Sequence, residues 1–264
     1  MSSQPLPTLY VSHGSPTTIL EDSPARTFLE TLGSPYQNVS AVLCVSAHWE
    51  TTLPTLPTVS AVELPETIHD FYGFPPELYA VQYPAKGSPQ VAERVASLLK
   101  EANLPVEVNP RRGLDHGTWT PLKLMFPKAD VPVLQLSILR GLNPQQHLAV
   151  GKAIEALRHE NILVIGSGTS VHPLGYVTDW PLTSIPAWAQ AFDAWLTDAV
   201  LHGDVDTLLR FRELAPYPER AHPRPDHYVP LLTVLGAAGE GAKGTVLHQS
   251  WQYNFLSMGM YAFE

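Results

Sequence analysis

The chain has one cysteine, Cys44, in 264 residues. A single thiol excludes an internal disulfide and any cysteine-rich zinc site, so a metal centre here would rest on nitrogen and oxygen donors. Basic residues are scarce too: 16 lysines and arginines stand against 25 aspartates and glutamates, for a net charge of −9. That balance, without any basic run, argues against a nucleic-acid surface. No apolar stretch approaches membrane-spanning length, and the N-terminus has no basic region leading into an apolar one. These absences lead us to expect a cytoplasmic protein with neither membrane nor nucleic acid as partner.

What the chain does have is a globular composition, 44% hydrophobic and 16% charged, with enough length to bury a sizeable core. We find no internal repeat, low-complexity segment or linker, and expect a single domain over residues 1–264. The 26 prolines are about twice the usual share and are spread along the chain, which implies long ordered loops. The 11 histidines are also many, of which a metal site would use three or four.

Residues 41–50, AVLCVSAHWE, organise the rest. The valine-rich start reads as a buried strand of a parallel sheet. Open α/β sheets place ligands and catalytic groups beyond the carboxyl ends of such strands, and His48 stands at this one. Residues 7–11 repeat the arrangement, running into Ser12-His13-Gly14-Ser15-Pro16. Residues 162–165 run into Gly166-Ser167-Gly168 and then His172. Ser23 and Pro24, as N-cap and first residue, open a helix to about Leu32. Residues 6–48 therefore form a strand–helix–strand unit, whose right-handed crossover leaves both strands parallel and both histidines on one edge of the sheet.

Further strands are expected within 54–63 and at 105–108 and 131–138, with an antiparallel pair, 244–248 and 255–261, at the sheet edge. Helices are expected at 88–100, after Asp115-His116-Gly117, and at 144–159, 185–201, 204–214 and 229–235, with His227 entering the last. The expected fold is α/β: a single domain with a central mixed, mostly parallel sheet, helices on both faces, and a metal site at the carboxyl ends of the strands. Between strands lies the aromatic loop Thr67-Ile68-His69-Asp70-Phe71-Tyr72-Gly73-Phe74-Pro75. It is too long for mere connection, which makes it either a binding element or a plug on the core.

Several familiar chemistries are missing. The glycines at 166 and 168 lack the lysine of a phosphate loop and the full dinucleotide spacing; leucine at 163 breaks a zincin match after His159-Glu160. No Gly-x-Ser-x-Gly elbow occurs. His13, His48, His172 and His227 remain as candidates for one cluster. Three protein ligands with open positions define a catalytic metal site, and nitrogen and oxygen donors suit Fe(II), Zn(II) or manganese. Iron would bind substrate and oxygen together, whereas zinc would lower the pKa of water for a hydrolase or lyase. The residues leave both open, beside a non-catalytic binding protein with structural histidines.

Five motifs in order, Ser12-His13-Gly14-Ser15-Pro16, Ser46-Ala47-His48-Trp49, residues 68–75, Asp115-His116-Gly117 and Pro225-Asp226-His227-Tyr228, resemble the LigB-type class III extradiol ring-cleavage dioxygenases. The branch is the one that includes DOPA 4,5-dioxygenase, and the resemblance runs essentially the whole length. It implies metal ligands His13, His48 and His227, with His172 as acid–base residue and His116 as a catalytic or substrate-contacting group. It also implies a catechol and O2 as substrates, with Ser15, Phe71, Tyr72 and Phe74 around the ring. Better-known members complete the iron site with a glutamate. Here His227 takes that place, three neutral ligands leave the site one charge more positive, and Zn(II) is the alternative to Fe(II).

Overall fold

The computed structural model describes residues 4–52 and 56–264. Ten strands are described: β1 (Thr8–Ser12), β2 (Ala41–Glu50), β3 (Thr58–Ser60), β4 (Glu107–Asn109), β5 (Val133–Ile138), β6 (Ile162–Gly168), β7 (Gly244–His248), β8 (Trp251–Gln252), β9 (Leu256–Ser257) and β10 (Met260–Phe263). Eight of them form one sheet in the order β4-β3-β5-β2-β6-β1-β10-β7, and β8 pairs with β9 separately. The centre is parallel: β6 pairs with β1 on one side and β2 on the other, and β2 continues to β5. The β1–β10 and β10–β7 pairs are antiparallel. The expected α/β fold with a mixed, mostly parallel sheet is therefore what forms.

Strand side chains alternate between the two faces, as the two-residue period requires. Leu43, Val45, Leu134, Leu136, Ile162 and Val164 feed the core on one face. Val42, Val133, Leu163, Ile165, Leu9 and Val11 feed the core on the other. The first core receives helices Pro89–Glu101, Pro144–Ala153, Ala187–His202 and Val229–Ala237; the second receives Pro24–Leu32 and His116–Met125. Helix starts follow capping chemistry: Ser23, Ser88, Asp115 and Asn143 each accept a backbone N–H of the first turn.

Three expected elements are divided. The helix expected at 144–159 ends at Ala153, and a 3-10 turn, Glu155–Glu160, closes with Asn161 in the left-handed conformation. The helix expected at 204–214 is two short ones, Val205–Leu209 and Phe211–Leu214, because the chain turns at Arg210. The strand expected at 255–261 splits into β9 and β10, with β10 inserted between β1 and β7. Of the extended stretch expected at 54–63, Thr58–Ser60 is strand, while residues 54 and 55 lie outside the described residues. Among the described residues no helix is long and apolar enough to cross a membrane.

Candidate active site

Pairing of β2 with β6 ends at Ser46, and its pairing with β5 breaks register after Ser46 and resumes at Glu50. The chain therefore bulges out of the ladder around His48. Ser46 Oγ donates to Asp115 Oδ1 at 2.6 Å, which ties this strand end to the helix that begins with His116. Asp115 is fully buried and also accepts from Gln135 Nε2 and an Arg112 amino group, both at 2.7 Å. One buried carboxylate thus sets the positions of both His48 and His116.

His13 follows β1, and its backbone N–H bonds Gly168 O at 3.0 Å. His227 ends a 3-10 turn, Pro225–His227, that leads into helix Val229–Ala237. Its carbonyl accepts the Tyr10 hydroxyl at 2.7 Å. A side chain at Gly168 would collide with that same carbonyl, so the glycine lets β6 pass directly beneath the histidine. Gly166 makes a similar close approach, to the Pro230 carbonyl at the start of the next helix.

The structure brings the candidate histidines together. His13 Nε2 and His227 Nε2 each lie 3.1 Å from His48 Nε2. Two nitrogens each about 2.1 Å from one ion, at right angles, are about 3.0 Å apart. Their outer nitrogens support that use. Ser167 Oγ gives its proton to Gly117 O, so it must accept from His13 Nδ1, 2.9 Å away. Asp226 Oδ1, an acceptor only, lies 3.0 Å from His227 Nδ1. Protons held on Nδ1 leave lone pairs on Nε2. At most one proton, on His48, is then available to the three facing nitrogens; a cation satisfies all of them. The donor set fits a metal ion.

Ligating nitrogens of His13, His48 and His116 also lie within 4.8 Å of one another, as do ligand atoms of His172, Asp226 and His227. His116 Nδ1 is 2.9 Å from Asp70 Oδ1, which also accepts the His116 backbone N–H at 2.9 Å. Asp70 Oδ2 is 3.6 Å from His48 Nδ1. Burial, then the neighbouring imidazoles, hold His13 and His227 well below the usual histidine range. His48 is pushed down to about 3 by burial and then His116, and His172 falls by burial and then His227. Neutral imidazole is the ligating form. Burial pushes the Asp70 carboxyl up, but the hydrogen bonds it accepts from the His116 ring and backbone, with the imidazoles of His116 and His48 close by, hold it at about 2.

A cavity of about 570 Å³ opens over the cluster. His48, His116, His172 and His227 form its floor, and Ser15, Phe71, Tyr72 and Phe74 line it as expected. His13 is fully buried beneath. The resemblance passed over Asp70 and the far wall of Trp180, Tyr253 and Phe255. Asp70 lay within the aromatic motif; its neighbour His69 turns away, its Nε2 donating to Val81 O at 3.0 Å. His222 stays outside the cavity, its Nε2 donating to Ser170 O at 3.0 Å.

Fold and cluster together define an α/β protein in which histidines from two strand ends and from the turn before helix Val229–Ala237 are placed to share a metal ion. The model of the family described as the catalytic LigB subunit of aromatic ring-opening dioxygenase matches residues 7–264. A 4,5-DOPA dioxygenase extradiol of Beta vulgaris is 40% identical over 260 residues, 97% of this chain and 96% of that protein. One from Escherichia coli strain K12 is 40% identical over 245 residues, 90% and 87% of the two chains. The crystal structure of an uncharacterized Escherichia coli K12 protein matches with a TM-score of 0.79 and 33% identity, over 97% of this chain and 98% of that one. The chain belongs to the LigB family. It is an oxidoreductase, an aromatic ring-opening dioxygenase; the family implies a non-haem metal, an aromatic substrate and O2. Nothing in the comparisons supports a zinc hydrolase or lyase.

Proposed function

We propose that this chain, as one catalytic domain, opens the ring of a DOPA-like catechol beside its diol, using Fe(II) held by His13, His48 and His227. The observation that carries the ligand assignment is the pair of 3.1 Å Nε2–Nε2 approaches centred on His48. His116 likewise has its Nδ1 against a carboxylate, Asp70; we assign it to substrate contact because the two 3.1 Å approaches to His48 come from His13 and His227. When bound, ferrous iron supplies the one-electron chemistry that lets dioxygen react with a catechol.

The protein's own groups do the rest. His172, kept neutral by burial and by its neighbour, takes a proton from a catechol hydroxyl and later returns one to the opening ring. Asp70 holds the His116 ring in place, so that His116 contacts the substrate oxygens. Phe71 and Phe74, whose ring centroids are 5.2 Å apart, cover the ring and exclude water. Tyr72 and Ser15 complete the substrate contacts. Iron is favoured over zinc because ring opening with O2 requires a redox-active ion, and zinc has no redox chemistry. A cytoplasmic location belongs to the same reading and is checked by cell fractionation.

The test is anaerobic loading with ferrous iron, then addition of a catechol panel and oxygen, following oxygen uptake and the yellow absorbance of a muconic semialdehyde. Stoichiometric uptake with a yellow product is expected. No turnover of any catechol, with iron shown to be bound, contradicts the reading.

A further inference from the structure

We propose that the cavity sorts catechols by the charge of the ring substituent, favouring an ammonium-bearing side chain over a carboxylate-bearing one. The inference rests on the ring-opening reading above and deepens it. Among the described residues lining the cavity, Asp70 is the one charged side chain other than histidine, and no lysine or arginine is present. The lining is rich in aromatic residues: Phe71, Tyr72 and Phe74 from one loop, and Trp180, Tyr253 and Phe255 from two others. Trp180 lies 4.9 Å from Tyr253 and 6.4 Å from Phe255, centroid to centroid, and Tyr253 lies 6.1 Å from Phe255. These three form a continuous aromatic surface from two loops distant in the chain.

Aromatic faces carry partial negative charge and attract ammonium groups. The Tyr253 hydroxyl also donates to Glu21 Oε1 at 2.6 Å, and electron density pushed into the phenol makes its ring face a better partner for a cation. A carboxylate meets the opposite situation. The ring faces repel it, and among the described lining residues it finds no lysine or arginine to replace its lost water. The arginines nearby are committed elsewhere. Arg112 donates to Asp115 and to the His48 carbonyl, and Arg224 pairs with Glu50 and Asp226.

Three probes of matched size separate the possibilities: 2-(3,4-dihydroxyphenyl)ethylamine, 4-ethylcatechol and 3,4-dihydroxyphenylacetate. Their affinities for the iron-loaded protein are measured at pH 7 by calorimetry with oxygen excluded, and oxygen uptake is measured separately. The amine is expected to bind at least about tenfold more tightly than the acid, with the neutral catechol between. Leu174, half exposed and on the cavity lining, gives the reverse experiment: Leu174→Arg should tighten the acid at least about fivefold and weaken the amine. Equal or tighter binding of the acid by the unaltered protein overturns the inference, whatever the variant does. The amine-first order without oxygen uptake leaves the charge preference standing and removes the ring-opening reading. Uptake with the acid preferred does the opposite.

Discussion

His172 lies face to face on His227, with ring centroids 3.4 Å apart and planes inclined by 8°. Its backbone N–H is anchored to Ala221 O at 2.9 Å. The stack fixes where the His172 nitrogens sit without using those of His227. A flat, non-titrating ring at 172 should therefore keep the metal and lose the proton transfer. His172→Phe is expected to bind one ion per chain and to lower kcat by roughly 10²- to 10⁴-fold. Metal analysis with oxygen-uptake kinetics checks this; a Phe variant as fast as the parent removes His172 from the chemistry.

Asp226 determines which nitrogen of His227 carries the proton. Removing it in Asp226→Ala frees the ring to rotate and to protonate the wrong nitrogen. We expect a loss of roughly 10- to 100-fold in metal affinity, with little change in melting temperature because Asp226 is partly exposed. A competitive chelator titration measures the first quantity and calorimetry the second.

Gly168 couples the sheet to the site. A methyl group there would strike the His227 carbonyl oxygen, and that oxygen is already held by the Tyr10 hydroxyl. Gly168→Ala should destabilise the protein by about 1–3 kcal/mol, the usual cost of overpacking, and weaken metal binding as His227 is displaced. Thermal melting with and without metal reads both effects.

Stability should fall in mild acid for a reason outside the active site. Buried His147 donates from Nδ1 to Asn143 O at 2.7 Å and accepts the Leu139 N–H on Nε2 at 3.0 Å. Burial pushes its pKa down to about 4, against about 6.5 in an unfolded chain. Between those values the unfolded chain binds a proton that the folded one refuses. Its contribution is thus fully present above about pH 6.5 and is lost as pH falls toward 4. His147→Gln should lose less stability across this window than the parent, by on the order of 2–3 kcal/mol, as measured by denaturant unfolding at a series of pH values.

The three central strand ends were legible because residues 7–11, 41–46 and 162–165 are short, mostly apolar runs with a histidine following each, although β2 itself extends past His48 to Glu50. Packing direction was not. His69 and Asp70 are adjacent in one motif, yet Asp70 faces His48 and His116 and His69 bonds a carbonyl of the neighbouring loop. Sequence order does not say which side of a loop meets the site. Trp180, Tyr253 and Phe255 carried no signal at all, because no periodicity links two irregular loops that meet only in the folded chain. The break after Ala153 was hidden for a related reason: residues 144–159 contain good helix formers, and the tighter turn is settled by contacts with the rest of the fold.

The assignment of His13, His48 and His227 to one ion is tested most directly by titrating ferrous iron, without oxygen, into four single variants: His13→Ala, His48→Ala, His227→Ala and His116→Ala. The first three should each lose most of their affinity, while His116→Ala still binds one ion per chain close to the parent value. If His116→Ala abolishes binding and His227→Ala does not, the ion is held by His13, His48 and His116, and the ligand set proposed here is wrong.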